Sequence, residues 1–309
     1  MNNNSFQFNL YRLNIVDGEP SLFESLKPIL SDENLIEILD ESTTSSYDVE
    51  KETNTSHYRW SFRKFQIVQD KDVGDVVSLI LARSTVEKHG EIVTDQDIEK
   101  GFSKSSPPLA ATVSIFFFMS RHLIAVERNS TLMISKTWQN MSKKILISAA
   151  KKKGYSSSIV FEPVTQHHEL IKLFKSFSKL TRVKVNLRLP NPELSRYTRN
   201  LYEDLRKSGI REYLQDMKNP RGLSNAEDAR PFASVIMAQE GYKEGELTLE
   251  GWKDGKFQKE ITGEEAARGK ISQLKDFVRG VSVDLKSKEA KKIIKAIYEE
   301  IERIAPREE

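Results

Sequence analysis

Residues 181–192 read TRVKVNLRLPNP, and this alternation decides how the middle of the chain folds. Val183, Val185, Leu187 and Leu189 fall on one side of an extended strand, Arg182, Lys184 and Arg188 on the other. The apolar side requires a core, and the cationic side is suited to an anion. Asn191 and Pro192 supply an N-cap and a first helical position for the segment that follows. At about 100° per residue, Leu194, Tyr197, Leu201 and Leu205 gather on one stripe of that helix. Arg196, Arg199 and Arg206 lie nearly opposite, interrupted by Glu203.

Solvated faces are ordinarily charged, so the regional balance matters more than either element alone. The chain has 309 residues and a net charge of +3. Residues 101–218 hold 21 basic and 8 acidic side chains, whereas residues 1–56 hold 3 and 11. A strongly basic middle inside a nearly neutral chain is the footprint of a polyanion-binding surface. Tyr197, Tyr202 and Tyr213 are interleaved with these cations.

Upstream of the strand, the period from residue 135 is helical. Trp138, Met141, Ile145 and Ala149 share one side. Lys143 and Lys144 lie around the other, with Lys151, Lys152 and Lys153 at the end before Gly154. Cations in a last turn also suit the helix dipole. A strand at 157–161 and a helix at 166–180 lead into the basic strand, an α+β or split βαβ order. Downstream, the pattern predicts helix over 210–217 and a polar loop over 218–230. Asp254 and Gly255 predict a two-residue type I′ turn, pairing Trp252 with Phe257 and Glu250 with Lys259. Residues 287–305 form an amphipathic helix whose stripe of Ala290, Ile293, Ile294, Ile297, Ile301 and Ile304 must dock on its own sheet or on a second copy.

The amino-terminal part reads as a strand at 6–16, two short helices over 21–39, and strands at 58–69, 76–83, 109–119 and 121–127. Between them, residues 41–56 are acidic and hydroxyl-rich and predict a mobile loop. The fold class expected is α+β in two domains, each a mostly antiparallel sheet with helices on one face. The first is 1–135 with the mobile acidic loop at 41–56; the second is 136–309 and carries the basic strand and helix.

There is no cysteine, hence no disulfide and no thiolate metal site. Nothing reads as a signal peptide or an apolar run long enough to span a bilayer, which gives a cytoplasmic expectation. His167 and His168 are adjacent and diverge on a helix, so they do not share a metal. Residues 83–89, RSTVEKH, end an apolar strand at a Gly90 turn rather than sitting on a ribonuclease helix. Glu246, Glu250 and Lys253 read as outward hairpin charges. No phosphate-cradling glycine motif and no serine elbow occur, so no catalytic residue, metal ligand or cofactor is assigned.

The cationic strand at 181–190, a long helix, the hairpin at 247–260 and Gly269-Lys270 follow one another in an order that resembles the second half of phage exclusion proteins of the RexA type and, more loosely, bacterial DNA-binding anti-phage proteins. The likeness covers residues 175–275. It implies a two-domain, dimeric, double-stranded-DNA-binding defence protein without a catalytic centre of its own.

The expectation is therefore a sequence-independent DNA-binding protein of phage defence or exclusion. Its phosphate contacts would come from Lys143, Lys144, Lys151, Lys152, Lys153, Arg182, Lys184, Arg188, Arg196, Arg199 and Arg206. Further expected partners are a second copy forming a homodimer, and a membrane protein or other component of a defence system. The alternatives are a nuclease or toxin-type effector acting on nucleic acid, and an interaction subunit that recognises an acidic phage protein.

Overall fold

The computed structural model describes residues 5–16, 29, 31–93, 98–129, 132, 136–166, 168–188, 198–210, 212–272 and 288–306. In chain order these form β1 (Phe6–Val16), α1 (Asp32–Glu41), β2 (Val49–Thr53), β3 (Ser56–Asp70), β4 (Gly74–Val93), β5 (Ile98–Lys104), β6 (Ala110–Phe118) and β7 (Leu123–Glu127). There follow α2 (Thr137–Lys152), β8 (Ser158–Pro163), α3 (Glu169–Ser176), β9 (Lys179–Arg188), α4 (Arg199–Lys207), β10 (Glu212–Lys218), α5 (Arg230–Gln239), β11 (Lys243–Lys253), β12 (Lys256–Thr262), β13 (Arg268–Ile271) and α6 (Lys288–Ile304).

The architecture is α+β, with two antiparallel sheets. The larger has nine strands in the order β13-β1-β7-β6-β4-β3-β2, with β5 beside β4 and β8 beside β1. One edge of β1 is divided: β13 pairs with Phe6 to Asn9, and β8 with Tyr11 to Val16. Strand β6 is apolar on both faces because both are covered. Ile115 and Phe117 meet Trp138 and Ile145 of α2 and Leu35 and Ile38 of α1. Phe116 and Phe118 meet the isoleucines of α6 on the other side.

That second layer settles the isoleucine stripe. Ala290, Ile294, Ile297, Ile301 and Ile304 are fully buried against the chain's own large sheet. Each of the isoleucines contributes roughly 2 kcal/mol of burial. Buried Arg121 fixes the end of α6, donating to Glu302 at 2.9 Å and to the carbonyl of Ala305 at 3.1 Å, where a cation suits the helix C-terminus. Of the two docking partners expected for the stripe, its own sheet and a second copy, the fold has its own sheet.

Several expectations need correction. The boundary at 135/136 does not separate the sheets: α2, β8, β13 and α6 all belong to the layers of the first. Residues 41–56 are not a mobile loop but the end of α1, a 3-10 turn (Ser45–Tyr47) and β2, hairpinned onto β3. Their carboxylates find cations on the partner strand. Asp48 pairs with Arg63 at 2.7 Å and Glu50 with Arg59 at 2.9 Å, cross-strand contacts that make up for the missing apolar residues. Gly90 makes no turn; β4 runs on through it, opposite Gly101 of β5.

The smaller sheet, ordered β10-β9-β11-β12, has the basic strand at its centre. Val183, Val185 and Leu187 are buried under α3, α4 and α5 as the alternation requires. Residues 210–217 were expected to be helical, but Glu212–Lys218 is the edge strand β10, in register with Arg182 to Arg188. Tyr213, Gln215 and Met217 alternate inward, and a run this short carries either period until a neighbouring strand selects one. The hairpin β11–β12 turns at Asp254-Gly255, both at positive φ, in the register Trp252 to Phe257 and Glu250 to Lys259.

The two sheets join where the end of α5 meets β1. Arg12 donates to the carbonyl of Glu240 at 2.8 Å and lies 4.4 Å from the centroid of the Tyr242 ring. Asn14 donates to the carbonyl of Gly241 at 3.0 Å. Gly241 has φ +83°, and a Cβ there would lie 2.6 Å from that of Arg12. Only glycine accommodates both the conformation and the approach.

Candidate nucleic-acid interface and the cleft between the sheets

The cations of the basic strand do not stand free. Arg182 forms a two-pronged pair with Asp216 of β10, Nε to Oδ1 at 2.8 Å and Nη2 to Oδ2 at 2.9 Å. Its Nη1 reaches Glu250 of β11 at 2.9 Å. Lys218 approaches Asp216 at 3.2 Å and Lys259 approaches Glu250 at 3.7 Å, so charges alternate in sign across all four strands. The hydrogen bonds with Asp216 raise the affinity of Arg182 for its proton, and those from Arg182 hold the Asp216 carboxyl well below the usual range. This outer face is a cross-strand ladder, close to neutral, with only Lys184 exposed among the three strand cations.

Arg188 is 6% exposed, and its Nη2 lies 3.2 Å from Glu244. At the end of α2, Lys153 is engaged by Glu37 at 3.0 Å and Glu41 at 3.4 Å. Arg196 lies outside the described residues. Arg199 and Arg206 are exposed on α4, as the helical spacing predicts.

The α2 lysines lie on the outer side of their helix. This helix buries Trp138, Met141, Ile145, Leu146, Ala149 and Ala150 on the large sheet, and Lys143, Lys144, Lys151 and Lys152 are all exposed. Its sixteen residues include no Asp or Glu. From Lys143 to Lys152 the axial span is roughly 13 Å, alongside which a duplex carries about eight phosphate charges.

Lys143 also reaches a cleft of about 500 Å³ bounded by the start of α2, β8, the end of β9 and the start of β11. Six further charged side chains line it: Lys136, Glu162, Arg188, Lys243, Glu244 and Glu264. Lys243 is fully buried; its Nζ donates to the carbonyl of Gly245 at 2.8 Å and lies 4.0 Å from Oε2 of Glu162. Burial pushes the Lys243 ammonium down to about 8, opposed by the carboxylates of Glu162 and Glu264. Burial likewise pushes the Glu162 carboxyl up, opposed first by Lys243 and then by Arg188. Lys136 and Glu264 form an ion pair on the same cleft. Titratable groups shifted by burial and gathered in a cleft mark a candidate site.

The pattern places the α2 lysines at the surface, where they are, and Arg188 on the exposed face of the strand, where it is not; it does not single out Lys243 or Glu162. The available signal was Lys243 itself: it holds the inward phase that Leu247 and Leu249 continue along β11, where a lysine needs a reason. Among the described residues no cluster of three His, Cys, Asp or Glu side chains could hold a metal ion. No described helix is long and apolar enough to cross a membrane.

No curated protein matches the chain. Residues 85–278 match the family model described as "Domain of unknown function (DUF4747)". The match begins within β4 and contains α2, the whole smaller sheet and the cleft residues from Lys136 to Glu264. It spans more than half of the 309 residues, and the chain accordingly belongs to the DUF4747 family.

Proposed function

We propose that this protein binds double-stranded DNA through its phosphates, without reading base sequence, and that it does so with the outer face of α2. The observation that carries the reading is the helix itself: four exposed lysines and no acidic residue, on an element whose other side is fixed in the core. Lysine ammonium groups held on a rigid helix displace condensed counterions from a duplex, the main source of affinity in sequence-independent binding. Lys184, Arg199 and Arg206 are exposed and add to this charge. Arg182 and Lys153 have carboxylate partners and are excluded from the interface. A role in phage defence or exclusion, which the RexA-like order of elements implies, is part of the proposal.

The test is fluorescence anisotropy of a labelled duplex with the wild type and with Lys143→Glu/Lys144→Glu/Lys151→Glu/Lys152→Glu. All four positions are exposed, so the variant folds, and it is expected to lose binding at near-physiological salt. A folded variant with wild-type affinity contradicts the proposal.

A further inference from the structure

Two cations meet at the cleft, and one of them, Arg188, lacks acceptors that buried donors require among the described residues. The side chain of Arg188 is 8% exposed, and among the described residues its Nε and Nη1 have no hydrogen-bond partner, Nη2 alone facing Glu244. Buried guanidinium donors without acceptors are rare in native proteins and call for a ligand or an ordered water. Beside Arg188, fully buried Lys243 has Gly245 as a carbonyl acceptor, and Glu162 stands beyond hydrogen-bonding distance at 4.0 Å. Burial above all, and then Lys136 and Arg188, lower the proton affinity of Lys243. One group carrying two negative charges would satisfy both.

Another part of the lining has a different character. Tyr11, Trp138, Phe161 and Pro163 contribute to it, with the rings of Trp138 and Phe161 stacked at 6.0 Å and Tyr11 edge-on to Trp138 at 5.1 Å. A cavity of about 500 Å³ exceeds what a bare inorganic anion occupies and falls within the range for small organic ligands. We infer that the cleft binds a small phosphorylated molecule of the nucleotide class. Its phosphoryl oxygens accept from Nε and Nη1 of Arg188 beside the Lys243 ammonium, and its ring lies against the aromatic wall. This site borders the DNA-binding face proposed for α2, sharing Lys143 with it, and does not depend on that reading.

Isothermal titration calorimetry with adenosine 5′-monophosphate, inorganic phosphate and adenosine tests the inference. The monophosphate binds, phosphate binds more weakly, and adenosine gives no heat at the same concentrations. Arg188→Met weakens the monophosphate at least about tenfold. Lys144→Glu/Lys151→Glu/Lys152→Glu leaves it unchanged, which separates this site from the α2 face. A measurement on the wild type covers the case in which Arg188→Met does not fold: phenylglyoxal modification of Arg188, followed by peptide mass mapping, is slowed by the monophosphate. No heat with the monophosphate at millimolar concentration means a cleft filled by water only and overturns the inference. So does adenosine binding as tightly as its monophosphate, unchanged affinity in a folded Arg188→Met, or phenylglyoxal modification without protection.

Discussion

Replacing Lys243 by Met tests whether the ammonium is held in a desolvated place. The side chain is fully buried, and burial lowers its proton affinity from 10.5 to about 8, against the attraction of Glu162 and Glu264. Above both values the lysine is neutral in the folded and unfolded chains and contributes nothing. As pH falls from 10.5 towards 8 the unfolded chain takes up a proton that the folded one refuses, so folding stability is lost over that window. It is regained as pH rises. Between pH 7 and pH 10 the stability of the wild type minus that of Lys243→Met is expected to increase by roughly 2 to 3 kcal/mol. Tyrosines and other lysines titrate in both proteins and cancel in the difference. Glu162 acts in the same direction, because without Lys243 its ionisation costs more and the variant weakens as pH rises. Urea unfolding at a series of pH values, followed by tryptophan fluorescence, measures the difference. A flat difference would show that Lys243 titrates as an exposed lysine does and would refute the reasoning.

Ile297→Glu places a carboxylate among fully buried side chains between α6 and the large sheet and is expected to cost at least about 3 kcal/mol; circular dichroism and gel filtration should show an unfolded or aggregated chain, and a folded monomer derived from a dimer would contradict the core assignment. Arg182→Glu sets a third carboxylate between Asp216 and Glu250 and lowers the melting temperature, while the salt dependence of DNA binding stays as in the wild type. Gly241→Ala forces a Cβ to within 2.6 Å of that of Arg12 at φ +83° and destabilises by more than about 1 kcal/mol in chemical unfolding; no change would mean that the junction between the sheets is loose.

What the sequence disclosed follows from where a residue's role is local. The alternation of Val183, Val185 and Leu187, the Asp254-Gly255 turn and the stripe of α6 each specify an element and its buried side from neighbours a few positions away, and the fold has them so. Other features depend on residues distant in the chain. Nothing near residues 41–56 announces that Asp48 and Glu50 meet Arg63 and Arg59, or that residues 212–218 find β9 as a partner. The same holds for the cationic face of the basic strand. Its phase was legible, but its neutralisation by Asp216 and Glu250 arises only when β10 and β11 flank it. The α2 lysines were legible because the helix contains no acid of its own. Glu162 and Lys243 are brought together by the packing of one sheet against the other, and sequence spacing holds no trace of that.

The most direct measurement of the central claim is the dependence of DNA affinity on salt. Log Kd of a non-specific duplex against log salt concentration is to be compared between the wild type and the Lys143→Glu/Lys144→Glu/Lys151→Glu/Lys152→Glu variant. Each phosphate contact contributes about 0.9 to the slope, so four lost contacts predict a slope shallower by roughly 3 to 4 units, with the same change on duplexes of unrelated sequence. An equal slope in the two proteins, or a wild type that does not bind duplex DNA at low salt, would contradict the account.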